Sequence, residues 1–170
     1  VATITPAAGN ESLYSGDVST PIIVYPGTAS KLLVLAPGEQ FKEGTDTGKY
    51  STMTPVGQTA GSTFTVTVFA TDAGYNLVTT TVTDIRISYD DGSPFDDNYS
   101  IPPATAALVG GTTNFFVALR VAEGKETKVK ASDVTGVLTS SSTAAIPVLH
   151  DSFVKYQVLV PPQSKDPGRP

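Results

Sequence analysis

In "STFTVTVFAT", Phe64, Val66, Val68 and Ala70 alternate with Thr63, Thr65 and Thr67. Residues two apart share one face of a pleated strand, whereas a helix would scatter them around its circumference. Threonine and valine also branch at Cβ, which restricts χ1 in a helix and suits a half-buried pleated surface. The segment therefore predicts a strand with one buried face. "TDIRISYD" repeats the pattern, with Ile85, Ile87 and Tyr89 inward against Asp84, Arg86 and Ser88. In "NFFVALRVAEG" the inward set is Phe115, Val117, Leu119 and Val121 against Asn114, Phe116, Ala118 and Arg120. "ETKVKASD" places Val129 and Ala131 between Lys128 and Lys130. Clusters of Gly, Pro, Asp and Asn separate these strands, and residues 104–109, between "PP" and "GG", read as a short strand or turn. No segment carries helical periodicity. The chain is predicted to be all-β, a sandwich or barrel rather than a parallel α/β sheet.

Charge and composition then narrow the chemistry. Eleven basic against 16 acidic side chains give a net charge of −5, which argues against a nucleic-acid surface or an anionic membrane as partner. No apolar run approaches the ~18 residues of a membrane-spanning helix. Without cysteine there is no disulfide scaffold and no metal-thiolate site. His150 is the only histidine, so a hydrolase triad has one available base, and that base falls in a turn where a solvated residue is expected. The acidic pairs share one polar loop, with nothing to bury them and raise a pKa for glycoside hydrolysis. No enzymatic activity is expected.

That loop, "YDDGSPFDDNY", is the best local site candidate. Asp90, Asp91, Asp96, Asp97 and Asn98 can supply hard oxygen ligands of the kind calcium takes. The competing expectation is that Asp and Asn beside Gly bond their own backbone in turns. The same two readings apply to Asp72 and Asn76 in "TDAGYN" and to Asp133, which can serve a junction between modules. Exposed aromatics for carbohydrate stacking would come from Tyr75, Phe95 and Tyr99, with Tyr89 assigned to the core by its alternation. Sequons at Asn10 and Asn98 are of the kind that Ser- and Thr-rich chains produce by accident. Lys31 and Lys155 begin strands as an isopeptide staple requires, but none of the four asparagines stands in a terminal strand of the module.

A repeat gives the chain its organisation. Shifting the sequence by 124 positions aligns residues 19–39 with 143–163 without a gap. Six pairs are identical: Ile22 with Ile146, Val24 with Val148, Lys31 with Lys155, Val34 with Val158, Leu35 with Leu159, and Pro37 with Pro161. Each copy reads as a strand ("PIIVY", "AIPVL"), a turn, and a second strand ("KLLVLA", "KYQVLV") ended by proline. Fixed-period repeats mark modular arrays. On this reading residues 29–150 form one module and residues 1–28 hold the last strands of a preceding module or a donated strand, "VATITP" corresponding to "TKVKAS". Residues 151–170 lead into a following module or neighbouring subunit. Ile22, Ile23 and Val24 at one end, with Tyr156, Val158 and Val160 at the other, are the candidate interaction strands.

"KLLVLAPGE", "GKYSTMTPVGQTAGSTFTVTVFATDAGYNLV", "AALVGGTTNFFVALRVAEGKETKVKASDVTG" and "STAAIPV" follow one another in an order that resembles the tandem immunoglobulin-like repeats of very large secreted or cell-surface proteins in bacteria. The likeness spans most of residues 29–148 and rests on strand and turn signatures. It implies an immunoglobulin-like β-sandwich with extra terminal strands, extracellular or at the cell surface. Its partners would be copies of itself or adjacent like modules. The longer, more acidic stretch "SYDDGSPFDDNYSIPPATA" departs from the pattern and marks where this copy is specialised. Two functions follow as expectations: a structural link of an extracellular fibre, stalk or surface layer, or an adhesin or carbohydrate-binding module that calcium stabilises. No cofactor is required by the first; calcium and carbohydrate stay open under the second.

Overall fold

The computed structural model describes residues 2–5, 16–90, 105–122 and 126–165. Its described residues form eleven strands and no helix: β1 (Thr3–Ile4), β2 (Asp17–Val18), β3 (Lys31–Leu35), β4 (Gln58–Thr59), β5 (Thr63–Thr71), β6 (Asp84–Asp90), β7 (Thr105–Ala107), β8 (Thr112–Ala118), β9 (Glu126–Asp133), β10 (Ser141–Ser142) and β11 (Ile146–Leu149). One sheet runs β3-β5-β8; the other runs β4-β11-β9-β6-β7, with β10 also on β9. β1 and β2 pair only with each other. Every pairing is antiparallel except β4 with β11.

The register explains the core. Phe64 pairs with Val117 and Val66 with Phe115 across β5 and β8, so inward side chains stand beside inward ones. Ile87 meets Ala131, and Tyr89 meets Val129, in the facing sheet. Val66, Val68, Ile85, Leu119, Val129 and Ile146 are all fully enclosed, each large aliphatic among them stabilising the fold by roughly 1.5–3 kcal/mol. The alternation is as the sequence predicts along β5, β6 and β9, with Tyr89 half-buried against the cluster. In β8, Phe116 points outward, but Ala118, expected outward as well, is buried beside Leu119. The ladder ends at Ala118, so the period of two lapses and consecutive residues turn in.

β3 does not alternate, and the reason is a second cover. Leu32 and Val34 face the main core, while Leu33 and Leu35, on the opposite face, are buried too. A loop over residues 37–57 closes that face: Leu33 lies against Gly48, and Phe41 stacks on Phe69 of β5 at 4.7 Å. The loop is pinned where Val56 N–H donates to the Pro37 carbonyl at 2.7 Å. Gly38 turns there with φ 95°, where any Cβ would lie 2.6 Å from the Thr54 oxygen. A Glu39–Lys49 ion pair at 2.8 Å holds the far side, and Glu39 also accepts the Ala36 N–H.

The two sheets are sewn together at one corner. Leu32 N–H donates to the Thr139 carbonyl and Thr139 N–H donates to the Ser30 carbonyl, so the chain before β10 runs parallel to the start of β3. Among the described residues, all of the buried hydrophobic side chains fall between Leu32 and Val148. Outside that span the expected strands at residues 22–25 and 155–160 are not formed: the backbone there belongs to no ladder among the described residues.

Candidate functional site: the linker end and the exposed terminal segments

Two aspartates organise the end of the sandwich from which residues 26–30 depart. Asp72 follows β5. Its Oδ1 accepts N–H groups of Gly74 and Asn76 at 2.8 and 2.9 Å, and the Asn76 amide reaches both oxygens. Its Oδ2 accepts the Gly27 N–H at 2.8 Å, from 45 residues away. The side-chain hydrogen bond from Asn76, then the backbone donors, hold its carboxyl at about 2. Asp133 ends β9 and closes the next turn, taking Thr135 on both oxygens, Thr83 on Oδ1, and the N–H groups of Val137 and Leu138 on Oδ2. Burial pushes the Asp133 carboxyl up, but hydrogen bonds from Thr83, Thr135 and Leu138 outweigh it and keep it well below the usual carboxylate range.

This arrangement favours the turn reading of both aspartates. Their oxygens are surrounded by N–H and O–H donors, a polarity that suits an anion's own backbone cap and opposes a cation. Among the described residues no group of three His, Cys, Asp or Glu side chains converges as a metal site would need. Asp72 does reach the junction, as an anchor for Gly27. Beside it a groove of about 720 Å³ lies between Pro26–Ala29 of the linker and Val78, Val82, Val137 and Leu138.

The remaining candidates are dispersed. Tyr75 stands at φ 59° in the Asp72 turn, packed on Gly48, with the Lys31 ammonium 3.8 Å above its ring. Its face and that lysine are thus occupied with each other. His150 is exposed and its Nδ1 lies 3.4 Å from the Asp151 carbonyl oxygen. Lys155 is exposed. Asp91, Phe95, Asp96, Asp97, Asn98 and Tyr99 lie outside the described residues, as does the side chain of Asp90; so does Asn10.

The terminal segments stand out by exposure. Ile22, Ile23 and Val24 are 67%, 73% and 84% exposed, and Tyr156, Val158 and Val160 are 87%, 85% and 62% exposed. Their echoes inside the sandwich, β11 and β3, are ladder strands of the core.

The structure adds a correspondence that the 124-residue shift only touches. Thr143 N–H donates to the Val129 carbonyl at 2.9 Å, and its Oγ1 accepts the Val129 N–H at 3.0 Å. Ser19 N–H donates to the Ala2 carbonyl at 2.9 Å, and its Oγ accepts the Ala2 N–H at 3.0 Å. Beside this clasp, Val18 pairs Thr3 and Asp17 pairs Ile4, as Ser142 pairs Lys130 and Ser141 pairs Ala131. Residues 2–4 thus match 129–131, one step along from the alignment of "VATITP" with "TKVKAS". The available signal was a hydroxyl residue, Ser19 or Thr143, three positions before Ile22 and Ile146. No protein-family model matches this sequence, and no curated protein matches it.

Proposed function

We propose that this chain is a non-enzymatic structural module of an extracellular or cell-surface fibre, stalk or surface assembly, joined head to tail with like modules. The observation that carries this reading is the pair of exposed terminal segments that repeat two core strands of the same chain, β11 and β3. An unpaired apolar strand presents backbone donors, acceptors and side chains that a neighbouring sheet can satisfy. A contact in which one end meets the opposite end of the next module does not close on itself, and it produces a line.

Strand order supports an immunoglobulin-like arrangement for the module. β3-β5-β8 faces β7-β6-β9-β11, and the short β4 runs parallel to β11 at the edge. The Asp72 hold on Gly27 supports a junction with a set geometry, because it fixes the linker to the module it enters.

The repeat itself supplies the test. Residues 1–149 joined directly to a second copy of residues 26–170 recreate the junction in its own register, since Pro26 aligns with His150. Small-angle scattering should report a rod of two modules at a fixed angle. A freely jointed pair, or a tandem that fails to fold its second module, would overturn the reading. Immunolabelling of intact cells of the source should reach the chain without permeabilisation.

A further inference from the structure

We propose that residues 17–28 are the closing strand of a neighbouring module of this same kind, occupying there the place that β11 and its lead-in occupy here, whereas residues 155–160 do not fit the β3 place of such a module. The proposal rests on the array reading and names the partner at each end.

Three observations converge on the first half. The clasp of Ser19 on Ala2 reproduces that of Thr143 on Val129 at the same two distances. The residues that follow agree wherever β11 is buried. Ile146 and Val148, 0% and 8% exposed, are matched by Ile22 and Val24, while Pro147 and Leu149, both outward, are matched by Ile23 and Tyr25. Within β11 the differences thus fall only where solvent takes the side chain. Finally, five residues, 26–30 and 150–154, separate each phrase from the Lys-led apolar segment that follows it, at Lys31 and Lys155. In this module Ile146 pairs Thr127 of β9 and Val148 pairs Gln58 of β4. Among the described residues 2–5 and 16–28 the clasp is present but no equivalent of that flanking pair is, and on this proposal the neighbour supplies the strands beside Ile22 and Val24.

The other end fails the same comparison. In the β3 place, Tyr156 would replace Leu32, Gln157 would replace Leu33 and Val160 would replace Ala36. Leu32, Leu33 and Ala36 are 2%, 2% and 3% exposed. A tyrosine and a valine overfill the inner face, and the Gln157 amide would be sealed against Gly48 without a partner. Residues 155–160 therefore open a module whose first strand is covered differently, one that leaves the Leu33 position wet or offers the amide a hydrogen bond. The array has a direction, and this chain cannot be placed on both sides of itself.

The test vacates the slot in the full chain. In Ile146→Asp/Val148→Asp, β11 can no longer bury. The N-terminal segment of a second copy should then fill the gap, giving oligomers that grow with concentration and vanish when Ile22→Asp/Val24→Asp is added. A peptide of residues 17–28 should dissolve them, and a peptide of residues 153–162 should not. Capture of a 141–150 peptide but not of the 17–28 peptide would overturn the proposal. If the vacated chain holds neither, substitution decides: Pro147→Ile/Leu149→Tyr writes residues 22–25 into β11 and should keep Tm within about 3 °C, while Leu32→Tyr/Leu33→Gln should lower it by about 10 °C or more. A collapse of the first variant, or an unchanged second, would refute the assignment. None of these outcomes depends on the shape of the tandem, so this proposal and the array reading fail separately.

Discussion

Ile146 and Ile22 belong to the same local phrase, yet one is fully enclosed and the other is two-thirds exposed. Val148 and Val24 differ in the same way. The side chains themselves cannot account for this, because each pair is the same residue at the same spacing. What differs is lateral: β9 and β4 flank Ile146 and Val148, whereas no strand among the described residues flanks residues 22–25. A strand is a statement about its neighbours, since its backbone groups and its apolar face are both satisfied from the side. The same phrase is therefore structural in one place and available for contact in the other.

The sharpest way to test that contrast is truncation of matched residues. Ile146→Ala should cost about 2–5 kcal/mol in urea unfolding, because it removes enclosed methyl groups and leaves a cavity in a packed sandwich. Ile22→Ala should cost less than about 0.5 kcal/mol, as is usual for exposed positions away from special features. Equal losses would mean that residues 22–25 are buried in solution, by the same chain or by another copy.

Next in size is Asp133→Ala. The carboxylate takes hydrogen bonds from Thr83, Thr135, Val137 and Leu138, and its removal strands the N–H groups of a closed turn. We expect a loss of about 2 kcal/mol or more. The matching change at the junction, Asp72→Ala, should instead act locally by releasing Gly27. Amide exchange at Gly27 should quicken at least tenfold while amides of β5 and β9 keep their protection; coordinated loss across the sandwich would show that the linker and the body open together.

The interior was legible because its residues obey one rule at a time. Phe64 to Ala70 alternate, and all the inward members are buried. β3 was harder: "KLLVL" has no period, and only the structure explains why, through the cover of residues 37–57 over Leu33 and Leu35. Ala118 was misassigned because alternation was carried past the end of a ladder that sequence does not mark. The terminal segments were expected as strands from the same alphabet, and they are not, because a strand needs a flanking ladder and the described residues place none beside them. For Asp72 and Asp133 a turn role was one of two readings the sequence offered, but the reach of Asp72 to Gly27 joins positions 45 apart and leaves no local trace. The Ser19 clasp was missed because a serine before a strand carries no weight until its partner, Ala2, is placed beside it.

Acid offers a smaller and more selective probe. Both aspartates have folded-state pKa values below the ~3.9 of an unfolded chain, Asp72 at about 2 and Asp133 well below the usual carboxylate range. A depressed carboxylate adds stability that is complete above the unfolded value and is lost as pH falls through the folded one. Stability from these two groups should thus be level above about pH 5 and decline from about pH 4 towards pH 2. Gly27 exchange should rise in the same window, because protonation of Asp72 weakens its hold on the Gly27 N–H. A decline already complete at pH 4 would assign the acid sensitivity to other groups.

The smallest effect should come from the largest change in covalent structure. Ending the chain at His150 removes residues 151–170, among them Phe153, Tyr156 and Val158, all at least 70% exposed. Its described part, residues 151–165, is exposed throughout and joins no ladder, so the loss should lie within about 0.5 kcal/mol. The Phe153–Tyr156 edge contact at 4.7 Å is internal to the segment and leaves with it. Solubility should respond more than stability: removing contiguous exposed aromatic and aliphatic side chains lowers self-association even where unfolding is unchanged. If the shortened chain instead unfolds markedly earlier, residues 155–160 are paired in solution. The contrast between enclosed and exposed copies of the same phrase would then hold for residues 22–25 alone.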